Sequence, residues 1–173
     1  MTLDPHWNLD EGYRIELFDE QDIVGEEDLL DLWTREAVLP EIEAKRRLPE
    51  VHLVGLTEAG ELAGISSARL RRNEQLRMDL WYYRAFVAEE HRRSNVAVTL
   101  ALRGRDNLQQ RFVSGEDPRA AGVCYEVENE GLKRYFPEAE WHPTRFLFIG
   151  ENPLGAHVRV WYFPGALAPD PPR

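Results

Sequence analysis

In FVAEEHRRSNVAVTLALRGRDNLQQRF, residues 86–112, the apolar period changes partway along. Upstream, from Leu76 to Val87, aromatic and apolar side chains are too dense and too short a run for anything but a strand, with Trp81, Tyr82, Tyr83 and Phe86 among them. After Asn95, residues Val96, Leu100, Gly104, Leu108 and Phe112 recur every fourth position, with Ala97 and Ala101 beside them. That spacing predicts an amphipathic helix. A strand, a short polar loop and a long helix therefore follow one another. Gly104 inside the helix costs about 1 kcal/mol relative to Ala, which points to close packing against a sheet.

Working outward, Tyr13–Phe18 alternates and reads as a strand. A helix opens at Gly25 with acids in its first turn, where the helix dipole favours them, and has a stripe of Leu29, Leu30, Trp33 and Ala37. Pro40 begins a second short helix that Pro49 closes. Residues 51–57 and 62–70 form a hairpin across Glu58-Ala59-Gly60-Glu61, and the strand ending at Val87 follows across Arg72-Asn73-Glu74. Downstream, 120–127 is a strand, 129–136 a short helix stopped by Pro137, and 145–150 and 156–163 are two more strands. The expected architecture is mixed α/β, with about seven strands and about four helices in one domain over residues 13–163. Residues 1–12 read as a flexible lead and 164–173, with four prolines, as a tail.

A chain of 173 residues with 43% hydrophobic and 30% charged side chains is neither disordered nor membrane-spanning in composition. The N-terminus has no basic region followed by an apolar one, and the single Cys124 has no partner for an internal disulfide, so a reducing cytoplasm is expected. The net charge of −10 is uneven: residues 1–50 carry 5 basic and 15 acidic side chains, while 69–111 hold ten Arg against five acids. The five histidines show no metal-ligand spacing, so no metal is expected. No phosphate-binding glycine loop of the nucleotide-hydrolase type, dinucleotide fingerprint or serine-hydrolase elbow is present, and an acidic chain argues against nucleic acid and gives no reason to expect a membrane partner.

The loop Arg92-Arg93-Ser94-Asn95-Val96-Ala97 has a chemistry of its own. The first N–H groups of a helix lack intrahelical partners and sit at the positive end of its dipole, so a pyrophosphate can lie on them. Arg92 and Arg93 add charge-assisted bonds, and Ser94 and Ala97 are small enough for close approach. The same residues also read as a Ser94-capped helix with solvated arginines.

With this loop, the hairpin Gly60-Glu61-Leu62-Ala63-Gly64 and the strand ending Phe86-Val87, the chain resembles the GNAT superfamily of acyl-CoA-dependent N-acyltransferases from about Tyr13 to Phe163. The family's loop runs Arg or Gln, two free positions, Gly, one free position, Gly or Ala. Arg92 and Ala97 fit, and Asn95 stands at the first Gly. The resemblance implies a mixed, mostly antiparallel sheet, acetyl-CoA or another acyl-CoA as co-substrate, and a primary amine of a small molecule or peptide as acceptor. It implies that Arg92–Ala97, including Val96, hold the cofactor. Main-chain groups of Phe86 and Val87 would hold its thioester arm and polarise the acyl carbonyl. Asn129 matches the Asn that precedes a catalytic Tyr by seven residues; here that seventh residue is Phe136, and Tyr135 beside it is the candidate acid.

Asp79, on the strand before the loop, and Glu126 are candidate bases; strand parity sets Glu126 with Cys124 and Glu128, and Tyr82 and Tyr83 are candidates for lining the acceptor pocket. An acidic first third would attract a cationic amine. Two other readings stay open: an acyl-CoA-binding or sensing module that has lost the acid, and an interaction protein whose Trp81, Tyr82 and Tyr83 meet a partner. Trp161, Tyr162 and Phe163 suggest a possible homodimer.

Overall fold

The computed structural model describes residues 8–170. Its elements are β1 (Tyr13–Leu17), α1 (Glu26–Arg35), α2 (Glu41–Arg47), β2 (Val51–Thr57), β3 (Leu62–Asn73), β4 (Met78–Val87), α3 (Val96–Val113), β5 (Gly122–Val127), α4 (Glu130–Tyr135), β6 (Leu147–Glu151) and β7 (His157–Tyr162). Short 3₁₀ turns at Phe18–Glu20, Leu48–Glu50 and Glu89–His91 link some of them. The strands form one seven-stranded sheet in the order β1-β2-β3-β4-β5-β7-β6. The pairs β1–β2, β2–β3, β5–β7 and β6–β7 are antiparallel, whereas β4–β5 is parallel through Trp81↔Val123 and Tyr82↔Cys124. A parallel pair needs a crossover, and α3 supplies it. The element order and class agree with the sequence reading.

Two compact units emerge from the contacts: the chain up to Ala68 with Arg84–Gly104, and Arg69–Tyr83 with the chain from Arg105. In the first unit, Val24, Leu29, Leu32, Trp33, Ala44, Val51, Val54, Leu56, Ile65 and Ala88 form one core cluster, and Phe86 packs against it. Ile15, Leu53, Val87, Val96 and Leu100 form another, with Leu9 and Tyr13 against it. Successive residues Phe86 and Val87 thus face the α1/α2 side and the α3 side, as strand alternation requires.

The buried stripe of α1 is Leu29, Leu32 and Trp33 rather than one that runs on to Ala37. The helix stops two residues before Ala37. That residue sits at φ 51°, with Ala37 N donating to Thr34 O at 3.1 Å and Val38 N to Trp33 O at 2.9 Å. This is the left-handed closure that satisfies the last carbonyls of a helix.

In the second unit, Leu80, Tyr82, Cys124, Val158 and Val160 share a cluster on one sheet face. The second strand of the hairpin extends to Asn73, three residues past Leu70, and the turn before β4 passes through Arg77 at φ 54°. Trp81, Tyr82 and Tyr83 are buried, so they cannot serve as a partner-binding surface. Of the three C-terminal aromatics, Phe163 is buried and Trp161 half-buried with its Nε1 donating to Gln109 Oε1, which leaves only Tyr162 exposed. No helix of the described residues is long and apolar enough to cross a membrane. The lead up to residue 7 and the tail from 171 lie outside the described residues.

Candidate functional site

The first unit contains the residues expected to hold the cofactor. The start of α3 lies on β2 and β3 where these strands present paired glycines, Gly55↔Gly64. A Cβ on Gly64 would stand 3.0 Å from Phe86 O, 3.1 Å from Val96 Cγ1 and 3.2 Å from Leu100 Cδ1; one on Gly55 would stand 2.8 Å from Val96 Cγ1. The missing side chains let the first turn of α3 sit directly on the sheet beside the end of β4. Glycines in strand interiors are the sequence signal for such close approach, and Gly55 was not read in that way.

Just past the end of β4, Ala88 N donates to Ala63 O at 2.9 Å. Peptide groups alternate sides along a strand, so the main-chain groups of Phe86 turn with those of Ala88 towards β3. Those of Val87 turn away from it. The Val87 carbonyl accepts from Arg92 Nε at 3.2 Å. Val87 N–H is therefore the donor of the expected pair that faces away from β3.

The two loop arginines differ. Arg92 is tied to Val87 O, approaches Glu36 at 3.6 Å and lies 5.9 Å above the Phe86 ring. Arg93 is exposed and has no hydrogen-bond or ion-pair partner among the described residues. Ser94 Oγ donates to His91 O and accepts from Val96 N at 3.4 Å, a capping arrangement for α3. Val96 is buried in the core, so only its main chain can meet a ligand, and Ala97 is exposed. Asn95 turns its amide to Asn8 O at 2.8 Å and Asp10 Oδ1 at 3.3 Å. Small residues, one unengaged guanidinium and a helix start are a chemically suitable set for a pyrophosphate.

Two acids of the acid-rich first third are paired within α2. Lys45 lies on Glu41, and Arg46 on Glu43 holds the Glu43 carboxyl down at about 2. Burial, then the charge of Arg84, lowers the pKa of Arg47 in the last turn of α2.

The second unit holds the candidate acid and bases. The pairing Trp81↔Val123 and Tyr82↔Cys124 puts Asp79 on the Trp81 face and Glu126 on the Tyr82 face. The two carboxylates are not brought together. Asp79 is half-exposed and 3.8 Å from Arg72. Glu126, with its side chain 13% exposed, has one oxygen engaged twice: Asn152 Nδ2 at 3.1 Å and Arg71 Nη2 at 3.5 Å both reach Oε1. Its Oε2 has no partner among the described residues. Arg71 also stacks 4.1 Å over the Tyr82 ring, and Asn73 Nδ2 donates to the Tyr82 hydroxyl at 3.1 Å. Burial, then the neighbouring Cys124, raises the Tyr82 pKa, and burial with the Glu126 charge pushes the Cys124 thiol up to about 12. Arg71, Asn73 and Asn152 were missed in the sequence because the strand was expected to end at Leu70 and Asn152 to be only a turn residue.

Asn129 caps α4, its Oδ1 accepting from Leu132 N at 3.0 Å. Tyr135 is 79% exposed, its ring edge-on to Phe136 at 4.9 Å, while Phe136 in turn meets Trp141. Tyr135 is the last residue of α4, and Phe136 after it has left the helical conformation, at φ −122°. Among the described residues no group of three or more His, Cys, Asp or Glu is placed to hold a metal.

No protein-family model matches the sequence, and no curated protein matches it significantly. Solved structures do match. A GNAT-family acetyltransferase from Streptococcus pneumoniae superposes with a TM-score of 0.54 at 11% identity, over 88% of this chain and 99% of that one. AtaTR bound with acetyl-CoA gives 0.57 at 11% identity, over 86% and 93%. A GNAT-family acetyltransferase from Brucella melitensis in complex with acetyl-CoA gives 0.52 at 12% identity, over 90% of each chain. The chain thus has the GNAT fold.

Proposed function

We propose that the chain is an acyl-CoA-dependent N-acyltransferase, transferring acetyl from acetyl-CoA to a primary amine of a small molecule or peptide by direct attack in a ternary complex. The observation that carries the reading is the start of α3: an unengaged, exposed Arg93 beside a helix N-terminus that two strand glycines seat against the sheet. The pyrophosphate would lie on the first-turn N–H groups with Arg93 as its guanidinium partner, and Arg92 would brace the end of β4. Val87 N–H is the group suited to the acyl oxygen, where negative charge develops in the transition state.

In the reaction the amine nitrogen bonds to the carbonyl carbon, the carbon–sulfur bond breaks, and the thiolate departs with a proton supplied by an acid or water. The nitrogen's proton passes to a base. Glu126 suits that role better than Asp79, because its Oε1 is held and its Oε2 is open on a largely buried sheet face. Tyr135 as acid requires α4 to turn its exposed hydroxyl inward. That requirement favours a second reading, a module that binds acyl-CoA without transferring the acyl group.

Release of free thiol from acetyl-CoA with a panel of primary amines separates the two. Thermal unfolding with acetyl-CoA tests both: at 100 times its dissociation constant a ligand adds about 2.7 kcal/mol, or several degrees for a domain of this size. No shift with any acyl-CoA removes both readings.

A further inference from the structure

The segment ahead of β1 runs against the loop at both of its ends. Tyr13 Oη lies 2.9 Å from His91 Nδ1, with the rings edge to face at 5.5 Å. At the other end Asn95 Nδ2 donates to Asn8 O at 2.8 Å and to Asp10 Oδ1 at 3.3 Å. Between these ties Leu9 packs on the cluster that contains Val96 and Leu100. The segment is itself anchored, because Gly12 O accepts from Glu58 N at 2.8 Å. His91 and Asn95 flank Arg92, Arg93 and Ser94, so the ties bracket the residues assigned to the phosphate.

We propose that Asn95 is a positioning residue, which straps the segment Asn8–Tyr13 to the start of α3 and thereby holds Arg92–Ser94 in the conformation that receives the cofactor's anionic group. The assignment rests on the acyltransferase reading for the nature of that group. Glycine at this position has no side chain with which to make such a tie. The Asn95 side-chain Nδ2 reaches two acceptors on the segment, while its main-chain carbonyl accepts from Thr99 N at 3.0 Å and Thr99 Oγ1 at 2.7 Å. One residue therefore fixes both the helix start and the strap. A loop held in its binding conformation avoids the cost of being ordered when the ligand arrives.

The test pairs amide hydrogen exchange of the free chain with calorimetric titration by acetyl-CoA, for the wild type, Asn95→Ala and Asp10→Ala. Two modest hydrogen bonds, each worth a few-fold in an equilibrium, predict exchange about five to ten times faster at residues 92–94 in Asn95→Ala. Exchange in β5 and β7 should be unchanged, and acetyl-CoA affinity should fall by a similar factor. Asp10→Ala, which loses one of the two acceptors, gives a smaller change of the same sign and serves if Asn95→Ala does not fold. In turnover, the KM for acetyl-CoA rises with kcat unchanged, which a purely structural defect does not produce. Unchanged exchange at 92–94 overturns the strap. Faster exchange with undiminished affinity overturns the positioning role. A wild type that does not bind acetyl-CoA removes the acyltransferase reading instead, and the exchange data still decide whether the strap holds the loop.

Discussion

Replacing Gly64 by Ala places a methyl group between β3, the end of β4 and the first turns of α3. The added Cβ would meet Phe86 O at 3.0 Å, Val96 Cγ1 at 3.1 Å and Leu100 Cδ1 at 3.2 Å, each several tenths of an ångström inside ordinary contact. One of the three is backbone, and the other two are methyl groups of buried side chains with little room to turn. Phe86 O is backbone, held by the adjacent tie of Ala88 N to Ala63 O, while Val96 and Leu100 are fully buried in the first turns of α3. Relief therefore requires α3 or the end of β4 to shift. Overpacking of this kind costs about 1–3 kcal/mol, or roughly 2–10 °C in Tm for a chain of this length. Because the displaced groups are those proposed to hold acetyl-CoA, affinity should fall beyond the stability loss. Scanning calorimetry with and without acetyl-CoA reads both effects. A Gly64→Ala protein that melts within 1 °C of the wild type and keeps its acetyl-CoA shift would refute the claim that this glycine seats α3.

Further outcomes follow from individual residues. Arg93→Ala should weaken acetyl-CoA by about 10-fold or more, the worth of a charge-assisted bond, whereas Arg92→Ala, which breaks the ties to Val87 and Glu36, should lower Tm as well; titration and melting curves on both variants show whether the roles are divided in this way. Glu126→Gln should reduce kcat by about 10²–10⁴-fold while leaving the acetyl-CoA-induced Tm shift intact, and an undiminished rate would transfer the base to another group. Ala37→Gly relieves a left-handed alanine and should stabilise the chain by about 0.5–1 kcal/mol, read as a rise in denaturant midpoint. With its thiol at about 12, Cys124 should resist alkylation at pH 8 in the folded chain and react on unfolding. Its raised pKa favours folding below about pH 9, the unfolded value, and that contribution is lost as pH climbs towards 12, so stability should decline across this alkaline range.

The strand, loop and long helix around Val87–Phe112 were legible because the apolar period changes there and propensity agrees with it. The buried positions of α3 confirm the four-residue spacing at Val96, Leu100, Gly104 and Leu108. The end of α1 was not legible, since Ala37 extends the apolar stripe yet closes the helix by a backbone conformation that alanine rarely adopts. The extension of β3 to Asn73 was hidden by polar residues that resemble a turn, and with it went the Arg71, Asn73 and Tyr82 contacts. The loop composition pointed to phosphate, but the division of labour between Arg92 and Arg93 depends on Glu36, more than fifty residues away in sequence, which no local pattern reveals.

The most direct test of the account is titration of the purified chain with acetyl-CoA, followed calorimetrically for the wild type and Arg93→Ala. The account predicts saturable one-to-one binding that the substitution weakens about 10-fold or more. Absence of binding by the wild type, or identical affinity in the two proteins, would contradict it.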